Sequence, residues 1–142
     1  MFVGVYERQL DERGRVALPP SFRSTIGETC YLTIGDDGCV RIQSADDFHD
    51  EAEEMKEAAK SGEVSRAKMR AFSSSVVVGS LDKQGRLVID ANLRDHGGIE
   101  PQSSVMVIGA IDRIEIWEPS RWEIQNTTGQ NEIAADQAGG AS

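Results

Sequence analysis

The sequence contains only two cysteines, Cys30 and Cys39, among its 142 residues. They flank a predicted hairpin at positions that do not face each other, because a turn at Gly35–Gly38 pairs Ile34 with Cys39. This excludes a disulfide framework and predicts two reduced thiols in the core. No apolar run approaches the ~18 residues of a membrane span. The first residues, Met1–Gly4, have neither the basic start nor the apolar stretch of a signal peptide. We therefore expect a cytoplasmic protein without a membrane partner.

Catalytic and cofactor motifs are also missing. The chain has no phosphate-binding P-loop, no dinucleotide fingerprint, no Cys-x-x-Cys pair and no Gly-x-Ser-x-Gly. Asp46, His49 and Glu53 share one predicted helical face, but acidic helices produce such triples freely, and we assign them no metal. His96 lies beside Gly97 at a predicted helix end, where an imidazole caps carbonyl groups. We expect no enzyme activity, cofactor, metal or small-molecule substrate.

Basic charge is scarce, with 15 lysines and arginines against 24 acidic residues and a net charge of −9. Seven of the acids and two of the lysines fall in residues 44–60. Because the local field rather than the net charge decides whether an anion docks, the acidic total does not exclude a nucleic-acid partner. The acidic face is interpreted as solvated surface. A contact between subunits and a guard against non-specific DNA are the alternatives.

One pattern is present twice in the chain. Asp11-Glu12-Arg13-Gly14-Arg15 recurs 71 residues later as Asp82-Lys83-Gln84-Gly85-Arg86. The same register aligns Phe22 with Leu93, Arg23 with Arg94 and Gly27 with Gly98. A shared register of this length predicts an internal duplication.

Each copy of the pattern predicts a tight hairpin. An Asp that can bond the backbone ahead of it and a Gly that tolerates positive φ bracket a four-residue turn. The apolar positions alternate after the turn, so Arg15 and Arg86 are predicted to point away from the core at equivalent, exposed tips. Two ordinary solvated turn arginines are the alternative. Repetition at one register favours a functional pair.

Each turn lies within the same predicted unit, which has an entering strand, a leaving strand, a short helix and a second hairpin. In the first copy these elements cover residues 2–9, Arg15–Leu18, Pro19–Ile26, Tyr31–Ile34 and Cys39–Ile42. In the second copy they cover Ser75–Leu81, Arg86–Ile89, Asp90–Arg94, Val105–Ile108 and Arg113–Trp117.

Three longer helices are predicted outside these units. The first is predicted because apolar residues recur at helical spacing; Ser44-x-x-Asp47 is its predicted cap, and it ends at Ser61-Gly62. The second, Val64–Phe72, is basic. The third begins near Pro119 and buries Trp122. The segment after Gln125 is rich in small and polar residues, and we expect it to be mobile and to carry no core residue.

The paired arginines offer chemistry that suits a nucleic acid. A guanidinium at a hairpin tip can fork onto O6 and N7 of guanine or bridge phosphate oxygens. A two-stranded ribbon is narrow enough for the major groove. Arg13 and Lys83 lie within the same turns and are placed to neutralise flanking phosphates. The sequence thus predicts that the paired arginines read bases while Arg13 and Lys83 bind the neighbouring phosphates.

The doubled turn, each copy followed by a short helix and a second hairpin, resembles the MraZ family of bacterial transcriptional regulators over residues 1 to 125. The resemblance implies a mainly β fold with short helices (α+β), made of two intertwined AbrB-like swapped-hairpin repeats that are barrel-like and related by a pseudo-twofold axis. It divides the chain into a first repeat with the acidic and basic helices, a second repeat, and a flexible tail, at residues 1–72, 73–125 and 126–142.

The resemblance also implies a function. The family's DNA-contacting arginines fall on Arg15 and Arg86, and its members form ring-shaped homo-oligomers at the nucleoid. They bind short direct repeats upstream of the division and cell-wall gene cluster, usually as repressors. The second turn departs from the first at Lys83 and Gln84, so the two copies need not contact DNA equally. An antitoxin-like protein of the AbrB fold, whose acidic helix neutralises a protein partner, is the alternative.

Overall fold

The computed structural model describes residues 1–140 of the chain. Its strands are β1 Phe2–Gln9, β2 Arg15–Ala17, β3 Thr29–Ile34, β4 Val40–Ser44, β5 Val77–Ser80, β6 Arg86–Val88, β7 Ser104–Ile111 and β8 Ile114–Trp117. Its helices are α1 Pro20–Ile26, α2 Ala45–Ser61, α3 Arg66–Ser75, α4 Ala91–Gly97 and α5 Pro119–Gly140. The architecture is α+β and mostly antiparallel sheet.

The strands form one six-stranded sheet in the order β1-β7-β8-β4-β3-β5 and a separate ribbon of β2 and β6. The turn at residues 11–15 is confirmed, since the N–H of Asp11 donates to the carbonyl of Arg15 (3.0 Å). The hairpin predicted around that turn is wrong, however. Strand β1 pairs with β7, which places Phe2 opposite Ile111, and β2 pairs with β6. The strands on either side of each turn therefore join different sheets.

The core lies under the ribbon and is shared by both repeats. Val16 and Leu87 form the central pair of the ribbon and are fully buried or nearly so. Phe22 of α1 and Leu93 of α4, aligned in the duplication, are also buried in this cluster. Because side chains alternate along a strand, burial of Val16 and Leu87 turns Arg15 and Arg86 to the outer face.

The second hairpins are confirmed with shifted bounds. Ile34 pairs with Val40 instead of Cys39, because Asp36–Gly38 forms a 3₁₀ turn and the N–H of Gly35 donates to the carbonyl of Cys39 (2.8 Å). Both cysteines are free and buried, as predicted. Burial raises the pKa of the Cys30 thiol to about 11, so this thiol stays protonated and unreactive near neutral pH.

The acidic helix α2 is confirmed, and its predicted cap is present, since Ser44 Oγ accepts the N–H of Asp47 (3.2 Å). Its apolar face is only half-buried. Phe48 stacks on Tyr31 with ring centroids 4.3 Å apart. Glu51 accepts hydrogen bonds from the buried side chains of Arg41 and Gln43. The sheet thus holds α2 by one stacked pair and one buried polar contact.

The next helix starts and ends later than the sequence predicts. Helix α3 is capped by Ser65 and continues to Ser75, and β5 starts only at Val77. The serines at residues 73–75 therefore close a helix instead of opening a strand. Their hydroxyl groups donate back to carbonyls three residues earlier, which satisfies them within the helix.

Two predictions at chain positions after Asp90 need correction. His96 contacts the carbonyl of Gly35 in the β3–β4 turn (3.1 Å), so it does not cap its own helix. Trp122, which was predicted to be buried, is only half-buried. It packs against Trp117, with ring centroids 6.0 Å apart.

The segment predicted to be a flexible tail is helical instead. Helix α5 continues to Gly140, while Ala141 and Ser142 lie outside the described residues. Within residues 126–139 of this segment, no side chain belongs to the buried core. Its mobility and the repeat boundaries stay predictions. In the described part of the chain, no helix is long and apolar enough to cross a membrane.

Candidate nucleic-acid interface

Each copy of the repeated turn is built around its aspartate. Oδ1 of Asp11 accepts the backbone N–H groups of Arg13 and Arg15, both at 2.9 Å. Oδ1 of Asp82 accepts the equivalent N–H groups of Gln84 and Arg86, also at 2.9 Å. The two turns therefore have the same hydrogen bonds although two of their residues differ.

The glycines complete the turns because they adopt positive φ. Gly14 has φ +74° and Gly85 has φ +76°, a conformation that side chains with a Cβ rarely take. Both glycines are buried. Hydrogen bonds to the Asp thus stabilise each turn, and the positive φ of the Gly allows the chain to reverse, as the sequence predicts.

The same aspartates also hold the predicted arginines. Nε of Arg15 donates to Oδ2 of Asp11 (2.7 Å), and Nε of Arg86 donates to Oδ2 of Asp82 (2.9 Å). The side chains are only 22% and 32% exposed. Arg15 and Arg86 are therefore not the freely exposed tips that the sequence predicts. A carboxylate thus orients each guanidinium through its Nε atom.

These contacts change the acidity of both aspartates. The N–H of Arg15 and then its guanidinium hold the pKa of Asp11 below its usual value, and the N–H and guanidinium of Arg86 do the same for Asp82. A lowered folded-state pKa means that the ionised carboxylates stabilise the fold fully above about pH 4, the pKa of an unfolded-chain Asp. This stabilisation is lost as the pH falls through the lowered folded-state values.

We therefore expect the double variant Asp11→Asn/Asp82→Asn to lose less stability than the native sequence on acidification below about pH 4. Asparagine keeps the Oδ1 acceptor for both N–H groups but cannot ionise. Denaturant unfolding at a series of pH values measures the effect. Glu12→Gln is the control, since it removes an exposed carboxylate in the same turn. An unchanged acid slope in the Asp variant would contradict the lowered pKa values.

The ribbon brings the two turns together on either side of the Val16–Leu87 pair. The N–H of Leu18 donates to the carbonyl of Gly85 (3.1 Å), and the N–H of Ile89 donates to the carbonyl of Gly14 (2.9 Å). Nη1 of Arg15 lies 3.8 Å from Oδ2 of Asp82 in the other turn. Two sites that are 71 residues apart in the chain thus form one surface.

This surface is locally basic on an acidic protein. Arg13 and Lys83 are exposed at the two turns. Together with Arg15, Arg86, Arg23 and Arg94, they make six cations at this surface, against the carboxylates of Asp11, Glu12 and Asp82 within the turns and that of Glu28 near Arg23. We call the residues 11–15 and 82–86 with Arg23 and Arg94 the tip cluster. Its local excess of positive charge can dock an anion despite the net charge of −9.

Known proteins match this chain over nearly its whole length. A family model described as "MraZ protein, putative antitoxin-like" matches residues 1–71 and 77–139. A relative from Lachnoclostridium phytofermentans, named Transcriptional regulator MraZ, is 34% identical over 134 residues, 94% of this chain and 93% of that protein. Relatives of the same name from Alkaliphilus oremlandii and Kocuria rhizophila are each 38% identical, covering 89% and 87% of this chain and 87% and 85% of their own.

The chain belongs to the MraZ family. The resemblance found in the repeated turns is thereby confirmed, and both family-matched segments include one copy of the turn. The name of these relatives describes transcriptional regulators. It agrees with the interpretation of the chain as something other than an enzyme.

In this member of the MraZ family, sequence reasoning missed Arg23 and Arg94 as site residues. Both are half-buried on the short helices that follow the ribbon strands, with their guanidinium groups against the turns. The signal was available, because the two arginines align at the register of the duplication. The direction in which their side chains point could not be predicted, since each one lies against the turn of the other repeat.

The turn glycines of this MraZ protein should not be equally sensitive to substitution. A Cβ on Gly85 would overlap the guanidinium of Arg23, whereas a Cβ on Gly14 would lie 3.0 Å from Nε of Arg94. Positive φ alone costs an alanine about 1–2 kcal/mol. We expect Gly85→Ala to reduce the free energy of unfolding more than Gly14→Ala does. Denaturant unfolding measures both.

A matched control is available at Gly62, which has φ +83° and where a Cβ would meet no neighbouring atom within 4 Å. Gly62→Ala therefore reports the cost of positive φ alone. If Gly85→Ala destabilises the protein no more than Gly62→Ala, then the Arg23 guanidinium makes no steric contact with a side chain at residue 85.

The predicted absence of a metal role for α2 is not contradicted. Asp46, His49 and Glu53 are all exposed, and His49 lies beside the Tyr31 ring, with centroids 5.8 Å apart. Across residues 1–140, no group of three or more His, Cys, Asp or Glu side chains is arranged to hold a metal ion.

Proposed function

We propose that this protein is a sequence-specific DNA-binding transcriptional regulator that acts in the cytoplasm at the nucleoid. The observation that carries the proposal is the tip cluster, in which two oriented arginines and two exposed cations lie on either side of the Val16–Leu87 pair. The relatives' shared name, Transcriptional regulator MraZ, supports it. Double-stranded DNA is a polyanion with local twofold symmetry, so a paired basic surface of this kind suits it.

Arg15 and Arg86 are the base readers in this proposal. Each guanidinium uses Nε to bind its Asp and offers its Nη atoms to O6 and N7 of a guanine, and Nη1 of Arg15 gives up its 3.8 Å contact with Oδ2 of Asp82 to do so. Orientation by a carboxylate reduces the conformational entropy that the side chain loses on binding. Arg13 and Lys83 then contact the flanking phosphates, because both are exposed at the ends of the turns.

We also infer that the two repeats form AbrB-like intertwined units. The pairing of β2 with β6 and of β1 with β7 supports this inference, since both pairs join one strand of the first repeat to one of the second. In such an arrangement neither turn can form its ribbon without the other. DNA binding would require the complete pair.

The partner of each chain in this proposal is a further copy of itself in a ring-shaped homo-oligomer. Strand β1 lies at an edge of the six-stranded sheet and, with Ile111 opposite it, exposes apolar side chains that a neighbouring subunit could cover. Met1, Val3, Val5 and Ile111 are 82%, 56%, 52% and 60% exposed. Grouped apolar residues at one sheet edge are typical of interaction surfaces.

The genes that the protein regulates are proposed from what the family resemblance implies. We propose that the oligomer binds short direct repeats upstream of its own operon, in the division and cell-wall gene cluster, and represses it. Footprinting of the purified protein on its own upstream region tests this proposal. Protection of a series of regularly spaced repeats is expected. Protection without sequence preference would contradict specific regulation.

A second candidate function is supported by the family description, which includes the word antitoxin. Helix α2 presents an acidic exposed face that suits a basic protein partner. An antitoxin should co-purify with a stoichiometric second protein. Purification from the native host without such a partner, together with a specific footprint, would favour the regulator.

A further inference from the structure

Arg23 belongs to the first repeat but contacts the turn of the second. Its Nε donates to the carbonyl of Leu18 (2.8 Å), and the N–H of Leu18 donates to the carbonyl of Gly85 (3.1 Å). Its guanidinium also lies directly against the Cα of Gly85, in the space that a Cβ would occupy. Helix α1 is thus connected to the turn at residues 82–86 by a hydrogen-bond chain and by direct packing.

Arg94 makes the reciprocal contacts. Its Nε donates to the carbonyl of Ile89 (3.0 Å), and the N–H of Ile89 donates to the carbonyl of Gly14 (2.9 Å). Nε of Arg94 would lie 3.0 Å from a Cβ on Gly14. The second repeat therefore supports the turn at residues 11–15 in the same way.

We propose that Arg23 and Arg94 are positioning residues that act across the repeats. Arg23 orients Arg86, and Arg94 orients Arg15. Each turn is held from two sides, by its own Asp and by the arginine of the other repeat that packs on its Gly. The link to DNA readout rests on the proposed function.

The proposal explains why each turn contains a Gly and why an arginine packs on it. A glycine without a side chain lets a planar guanidinium approach the backbone closely, which no other residue at that place would allow. A guanidinium keeps its charge at every physiological pH, so the support is permanent. A substitution of the supporting arginine in one repeat should therefore change the turn of the other repeat.

Hydrogen exchange followed by mass spectrometry tests, in the protein without DNA, whether each arginine supports the turn of the other repeat. In Arg23→Ala, amides in residues 82–86 should exchange about fivefold faster, the effect of one lost hydrogen bond of average strength. Amides in residues 11–15 should be unchanged. Arg94→Ala should show the opposite pattern, so each variant is the control for the other.

Faster exchange in the turn of the variant's own repeat, or in neither turn, would overturn the proposal. If Arg23→Ala does not fold, Arg23→Lys supplies the same test. Lysine keeps the charge but lacks the planar guanidinium and its Nε donor.

Double-mutant cycles on DNA test the consequence for readout. Arg23→Ala should weaken binding about fivefold, but it should add nothing once Arg86 is already alanine. Combined with Arg15→Ala, its effect should multiply instead. Independent effects in both combinations would overturn the crossed positioning. If even the native protein shows no specific DNA binding, the proposed function fails, while hydrogen exchange still decides whether the contacts cross.

Discussion

The double variant Arg15→Ala/Arg86→Ala should lose specific DNA binding while keeping its fold. Each bidentate contact between an arginine and a guanine contributes roughly 1–3 kcal/mol of discrimination, so two lost contacts should lower specific affinity at least about 30-fold. Both arginines are partly solvent-exposed ion-pair partners, and such pairs contribute little to stability. Fluorescence anisotropy on operator and scrambled DNA, together with thermal unfolding, measures both quantities.

Two control variants separate base readout from charge. Arg66→Ala/Arg70→Ala removes the same charge from two exposed positions on α3, and specific affinity should be nearly unchanged. Arg13→Ala/Lys83→Ala should weaken operator and scrambled DNA alike and reduce the salt slope by about 2, because it removes phosphate contacts. A folded Arg15→Ala/Arg86→Ala protein that retains operator affinity would refute the assignment of the base readers.

Removal of repeats from the operator should have the second large effect. The proposed complex assigns phosphate contacts to about two or three cations of each subunit, Arg13 and Lys83 among them, which corresponds to a salt slope of about −2 to −3 for one subunit. One subunit on one repeat should therefore bind weakly at physiological salt. Within a closed oligomer the later contacts become intramolecular, and avidity can raise affinity by roughly 10² to 10⁴.

Affinity at fixed salt should be measured on DNA with one, two and three repeats. Each deletion should weaken binding strongly. Insertion of about half a helical turn between repeats should do the same, whereas insertion of a full turn of about 10 base pairs restores the phase and is the control. A single isolated repeat that binds as tightly as the intact array would refute the multivalent mechanism.

The turns were predictable from the sequence because their chemistry is local. An Asp carboxylate reaches N–H groups two and four residues ahead, and a Gly at positive φ follows, whatever the rest of the chain does. Asp11 and Gly14 therefore sufficed to place the first turn. The caps at Ser44 and Asp90 were predictable for the same reason.

The partner of each strand was not predictable from such patterns. Val16 and Leu18 alternate with polar positions whether β2 pairs with the strand before its turn or with β6. Every strand offers the same backbone donors and acceptors, so hydrogen bonding alone does not select a partner. The family resemblance implied an exchange between repeats, whereas the residue pattern suggested a local hairpin.

Helix ends and the tail show the same limit. The serines at residues 73–75 suit a strand entry as well as a helix end, and the structure places them in α3. Small and polar composition suggested a mobile tail after Gln125, yet α5 continues to Gly140. Alanine and glutamine in that segment favour a helix, whereas Thr127, Thr128 and Gly129 do not, so its composition alone did not decide the structure.

The sequence by itself determined that this protein has two equivalent turns, each with an Asp, a Gly and an arginine in fixed order. Only the tertiary structure decided what surrounds those arginines. It brought the turns to one ribbon and placed Arg23 and Arg94 against the opposite turn. The physical reason is that a turn depends on neighbours in the chain, whereas these contacts depend on which strands bury the shared core.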